Sequence, residues 1–506
     1  MIHDDLPSVP LPAQPAQPVP APDAITALDA QALSRAIHAK EFSCRDVMQA
    51  YLSRIEQVNT GFNALVALAD PDELLAQADQ CDTELAAGNS RGWLHGIPQA
   101  PKDLSAAKGL RCSMGSPLQA DQVSGHDALI VARARAAGAL MIGKSNTPEF
   151  GFGSHTFNEV YGATRNALNP DLTAGGSSGG AAVALALHLL PVADGSDMMG
   201  SLRNPGAFNG VYGLRPSQGR VPMHPIPEIF IQQLGIEGPM GRTPQECAAL
   251  LATQAGASPH WPLSLPGDGQ SFLRAAAITA NDLDSAPLKG KRIGWLGDLD
   301  GYLATEPGLM PILDKAVQGL SQLGADVQAM PLAFDPDRLW RSWITLRQGL
   351  NGAKLVPLLK DPAKAAQLKP EARWEAENAT RATAADYFAA SVERSSWYQA
   401  VLGMFDKVDF LVLPTAQVFP FDITRRWPDE IAGRKMDTYH RWMEATIPAT
   451  MAGLPAMNIP VLPAGASPFR TSGEAPREMA GYQLIGRPQD DLGVLMAAAA
   501  IHEAGR

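Results

Sequence analysis

The chain has 506 residues, of which 45% are hydrophobic and 18% charged, and its formal net charge is −11 at neutral pH. That acidic balance argues against a nucleic-acid interface, which needs clustered Lys and Arg to neutralise phosphates, and it offers no attraction to an anionic membrane. Cys44, Cys81, Cys112 and Cys247 are scattered without a C-x-x-C pair or a His at ligand spacing, so they read as reduced thiols of a cytoplasmic protein with no metal centre.

In chain order, the start (Met1–Ile2, then His3–Asp4–Asp5) lacks the basic and apolar segments of a signal peptide, and no run is apolar enough to span a membrane. Residues 1–25 read as an extended Pro-rich arm, PSVPLPAQPAQPVPAPD, with no means of burying a core. From 26 to 506 the chain reads as one large α/β domain without repeats or a dividing linker. Two amphipathic helices come first, the second N-capped by Ser43. GIPQAPKDL (96–104) then sets Lys102 between apolar neighbours, and 127–145 reads as a helix, a stop at Gly138 and a short strand. An apolar helix containing His188 follows the glycines of TAGGSSGG and ends at Pro191; that histidine reads as packed core. Residues 219–290 read as Pro- and Gly-rich loops around one helix near 244–253. KRIGWLGD, a helix ending at Gly324 and ADVQAMPL form a βαβ unit. Residues 336–406, with Trp340, Trp343, Trp374 and Trp397, read as a mostly helical cover for a pocket. DFLVLPT and AMNIPVL are buried strands, and GYQLIGRP leads into the last helix.

Chemistry concentrates around two serine sites. GGSSG (175–179) fits G-x-S-x-G, but the nucleophile elbow needs a buried strand before it, and NALNPDLT is polar and turn-like. Two further readings stand: an anion site at a helix N-terminus, though without the lysine of a phosphate loop, and small residues that let a helix approach a neighbour. Ser201, in DMMGSLRNP, follows Ser177 by 24 residues, and PVAD between them can return as a strand that brings both hydroxyls to one end of a sheet. A serine needs a base, and Lys102 is the candidate, because a desolvated lysine drops toward neutrality and can accept a proton.

Taken together, GIPQAPKD, TAGGSSGG and GSDMMGSLRNPGAFNGVYGLRPS, with YGATRN, GPMGRT and YQLIGRP, resemble the amidase signature family of serine hydrolases over residues 26–503. The resemblance implies a large mixed β-sheet flanked by helices on both faces. It implies Ser201 as nucleophile, Ser177 as a bridging serine after a cis peptide, and Lys102 as base. The N–H groups of Met198, Met199, Gly200 and Ser201 match an oxyanion hole. Ser178, Asp197 and Arg203 match supporting positions. Met199 departs from the family's paired glycines, which would strain the chain if that position needed a positive φ. Asp103 is expected to face away from Lys102, since alternate residues of an extended segment point oppositely.

No cofactor or metal is implied. The expected substrates are small apolar amides, aryl or alkyl, with carbamates (urethanes) and esters included, bound among residues 227–235, Trp340/Trp343 or 425–443. Two alternatives stand beside this: a glutaminase-type subunit of a tRNA-dependent amidotransferase, which would need partner proteins, and a non-catalytic amidase-like binding protein. Relatives are often dimers, so a homodimer is compatible.

Overall fold

An eight-stranded sheet runs through the computed structural model, which describes residues 6–231, 234–267, 269–283, 286–470 and 474–505. Its strands are β1 (Ala193–Asp197), β2 (Tyr212–Arg215), β3 (Ile236–Gly241), β4 (Arg292–Trp295), β5 (Asp326–Ala329), β6 (Phe410–Pro414), β7 (Ala456–Val461) and β8 (Ala480–Ile485). Their spatial order is β1-β3-β2-β7-β8-β6-β4-β5. The β6-β4 and β4-β5 pairs are parallel and the others antiparallel, so the sheet is mixed.

The helices that matter below are α1 (Cys44–Phe62), α2 (Gly179–Ala186), α3 (Arg203–Asn209), α4 (Pro244–Gln254), α5 (Leu309–Gln318), α6 (Pro336–Leu350), α7 (Pro370–Ala379) and α8 (Ala384–Phe405). Strand β4, helix α5 and the parallel strand β5 make the βαβ unit expected from the hydrophobic pattern.

Local sequence explains most of these elements. Ser43 caps α1 through a reciprocal box with Asp46, as its position before the apolar run predicts. Helix α2 is buried from Gly179 to Leu185 and belongs to the main core with the sheet and α4. Each of its larger side chains contributes about 2 kcal/mol by leaving water. A second core lies under α6 and α8, where Trp340, Trp343 and Trp397 are buried together with Met199.

Three readings change. IEGPMG is strand β3, between β1 and β2, where composition suggests a loop; its glycines and proline mimic a turn. His188 lies beyond the end of α2 with φ 57°, half-buried, and its Nδ1 faces the Thr26 carbonyl and Arg242, so it is not a core residue inside a helix. The Pro-rich arm, described from Leu6, is not idle. Val9 and Val19 are buried, and the carbonyls of Pro7, Pro12 and Pro20 accept from Arg426, Arg165 and Arg54. An extended Pro-rich segment forms no internal backbone hydrogen bonds, so its carbonyls are free to accept from side chains.

Removing residues 6–22 is therefore expected to destabilise the body by about 3 kcal/mol, because three arginines lose acceptors and two valines are lost from the core. Denaturant unfolding checks this; an unchanged midpoint would show that the arm contributes nothing.

Candidate active site

Lys102 follows a short strand, Pro98–Gln99, and bridges to Ser145, so its side chain enters the interior from a fixed backbone. It is wholly buried. Its Nζ lies 2.7 Å from Ser177 Oγ, 2.8 Å from Ser178 Oγ and 3.1 Å from Ser196 Oγ. Burial lowers the amine to about 7, against the upward pull of Asp197, Asp194 and Glu237. A neutral amine has two protons and one lone pair, so one of the three hydroxyls must donate to it.

The surrounding acids differ in state. Asp194 accepts the Lys102 backbone N–H at 3.3 Å, and burial raises its carboxyl to about 6. Glu237 accepts from Ser105 at 2.6 Å, and burial raises it to about 7. Asp197 is also buried, which pushes it upward, but Arg203 and Arg215 outweigh that and hold it well below the usual carboxylate range. Asp103 turns away as expected, its carboxyl accepting from Ser113.

Strand β1 ends at Asp197, and the turn that follows carries Ser201 into α3. Ser201 is 8% exposed and lines the same cavity as Ser177, but among the described residues its Oγ makes no hydrogen bond, so the Ser177–Ser201 link of the expected relay is not formed here. Catalytic hydrogen bonds are often long before substrate binds. The Gly176–Ser177 peptide is cis.

Met199 is not among the residues with positive φ; the left-handed position is Gly200, at φ 81°, so the departure from paired glycines brings no such strain. A Cβ on Gly200 would also come within 2.7 Å of Thr446 Cγ2. One expected oxyanion donor is corrected: the Gly200 N–H donates to Asp197 Oδ1 at 2.9 Å. The N–H groups of Met198, Met199 and Ser201 make no backbone hydrogen bond among the described residues.

The cavity holds about 410 Å³. Met198, Met199, Phe150, Phe152 and Ile226 give it apolar walls, while Arg347, Asn351 and His440 bring polar groups. Of the expected pocket segments, 227–235 contributes Pro227 and Gly235, and 425–443 contributes His440 and Met443; Trp340 and Trp343 belong to the core. Gln232 and Gln233 lie outside the described residues. Sequence reading missed Ser196, Asp194 and Glu237. Glu237 pairs directly with Ser196 across β1 and β3, a juxtaposition that only strand pairing creates.

One grouping among the described residues has metal-binding chemistry: Cys81, Glu84 and His95, with ligand atoms within 4.8 Å of one another. Arg91 already holds Glu84, and the two His95 nitrogens face the Arg91 N–H and the Cys81 carbonyl. These donors are engaged elsewhere and do not fit an ion. No described helix is long and apolar enough to cross a membrane.

A family model described as Amidase matches residues 46–495. One glutamyl-tRNA(Gln) amidotransferase subunit, from Methylococcus capsulatus, is 33% identical over 450 residues, covering 85% of this chain and 89% of that protein. A bacterial aryl acylamidase of the amidase signature enzymes superposes with a TM-score of 0.85 at 27% identity, covering 95% of this chain and 97% of its own. The peptide amidase of Stenotrophomonas maltophilia does so with a TM-score of 0.77 at 27% identity, covering 95% and 97%.

Asp197→Asn would leave Arg203 and Arg215 buried without their counter-charge. The expected cost is about 3–5 kcal/mol, read from the denaturant midpoint; a neutral effect would show that the charge is not what the arginines need.

Proposed function

Because the chain belongs to the amidase signature family and hydrolyses amide carbon–nitrogen bonds, we propose that it cleaves small apolar amides and carbamates through Ser201, Ser177 and Lys102. The observation that carries this is the buried Lys102 amine bonded to Ser177 beside the cavity that Ser201 lines. In this reading Ser201 Oγ attacks the substrate carbonyl while its proton passes through Ser177 to Lys102. The N–H groups of Met198, Met199 and Ser201 face the developing oxyanion. The proton returns through Ser177 to the departing nitrogen, the C–N bond breaks, and water repeats the sequence on the acyl-enzyme to release the acid and restore Ser201. Ser178 and Ser196 hold the lysine in place, and Asp197 with Arg203 braces the turn. Four buried, unpaired cysteines fit a reducing, cytoplasmic setting.

The amidotransferase relatives favour a second reading, a glutaminase-type subunit working with partner proteins. The apolar walls of the cavity, Met198, Met199, Phe150, Phe152 and Ile226, favour the first, and Arg347 is already paired with Glu375 and Tyr439. Purified chain assayed against p-nitroanilides, carbamates and glutamine separates them. Turnover of apolar anilides by the chain alone supports the first reading; glutamine hydrolysis that appears only with added partners supports the second.

Ser201→Ala should abolish turnover while leaving thermal unfolding unchanged, and an active variant would remove Ser201 as nucleophile. Since Lys102 works only when neutral, kcat/KM should rise with pH through about 7 and level above it. Lys102→Arg should be inactive across that range, because guanidinium stays protonated; activity in that variant would mean the position supplies charge instead of a base.

A further inference from the structure

A groove of about 560 Å³ adjoins the catalytic cavity, and Pro227 and Lys354 line both. The end of α6 serves the two together: Arg347 and Asn351 line the cavity, while Gly349, Leu350 and Ala353 line the groove. The start of α8 and the segment 227–231 complete the groove, with Ile231, Leu350 and Tyr387 as its larger apolar side chains.

This space is built into the backbone. A Cβ on Gly349 would overlap the Tyr387 ring, and one on Gly352 would overlap the Glu375 carbonyl, so the two glycines let α8 and α7 close on the end of α6. Alanines at 353, 379, 382 and 384 then leave open what larger side chains would fill. The polar side chains of the wall are mostly engaged. Thr383 exchanges hydrogen bonds with Asp386 to cap α8, and Glu228 accepts from the Phe230 and Ile231 N–H groups at 2.7 and 2.8 Å. Lys354 stands on the boundary without an ion pair among the described residues, so the groove sets no penalty on a charge there; what it offers elsewhere is apolar surface. Ile231 is 57% exposed, and apolar surface left open beside a catalytic cavity marks a place for an apolar part of a ligand.

We propose that this groove takes an apolar arm of the substrate, alkyl or arylalkyl, which runs from the scissile group past Pro227 and Lys354. The proposal rests on the amide-hydrolase reading above and carries it to substrates longer than the catalytic cavity.

The test uses two matched pairs. Hexanoyl p-nitroanilide is compared with 6-phenylhexanoyl p-nitroanilide, which lengthens the acyl side. N-hexylbenzamide is compared with N-(6-phenylhexyl)benzamide, which lengthens the amine side. In the natural protein one pair should favour its longer member by at least about tenfold in kcat/KM, since an aromatic ring leaving water is worth that much or more. In Ala353→Trp, which fills the groove, that ratio should fall close to one. Ala382→Trp fills it from the start of α8 and repeats the test should the first variant not fold. No preference for length in either pair, or a preference that survives both substitutions, would overturn the proposal. So would failure of both variants to fold, because it would mean that the space is not open. Lack of turnover of every substrate by the natural protein would instead count against the amide-hydrolase reading.

Discussion

Lys102 is enclosed on all sides, and the removal of water from its amine is what the chemistry depends on. Moving a lysine from 10.5 to about 7 corresponds to about 5 kcal/mol of preference for the neutral form, supplied by the packing around it. Three serine hydroxyls satisfy the amine without bringing a formal charge. Asp197 exerts the largest upward pull on the lysine, and its ion pairs with Arg203 and Arg215 set positive charge against that pull. The arginine pair thus serves the base indirectly while also bracing the turn that carries Ser201.

The sheet makes this arrangement possible. Strand β1 supplies Ser196 to the lysine and Asp197 to the arginines, with neighbouring residues pointing to opposite sides. Strand β3 sets Glu237 opposite Ser196. Helix α6 contributes Arg347 to the cavity wall, and α7 supplies its partner Glu375.

The serines and lysine were legible because they sit in short motifs whose glycines and apolar flanks are local features. The βαβ unit and the late buried strands were legible from hydrophobic runs. Strand β3 was hidden by Gly238 and Pro239, which signal turns, although its neighbours on both sides bury it. Ser196 and Glu237 had no local signature, since they meet at the site only through strand pairing. The commitment of the Gly200 N–H to Asp197 was likewise invisible until the turn was folded.

The state of the Lys102 amine can be read without any substrate, by NMR titration of isotope-labelled lysine ε-groups with Lys102→Arg used to assign the signal. A base held neutral by burial requires one lysine titrating near 7 whose signal disappears in the variant. If every lysine titrates at the ordinary value near 10, Lys102 is protonated at neutral pH and cannot draw the proton from Ser177.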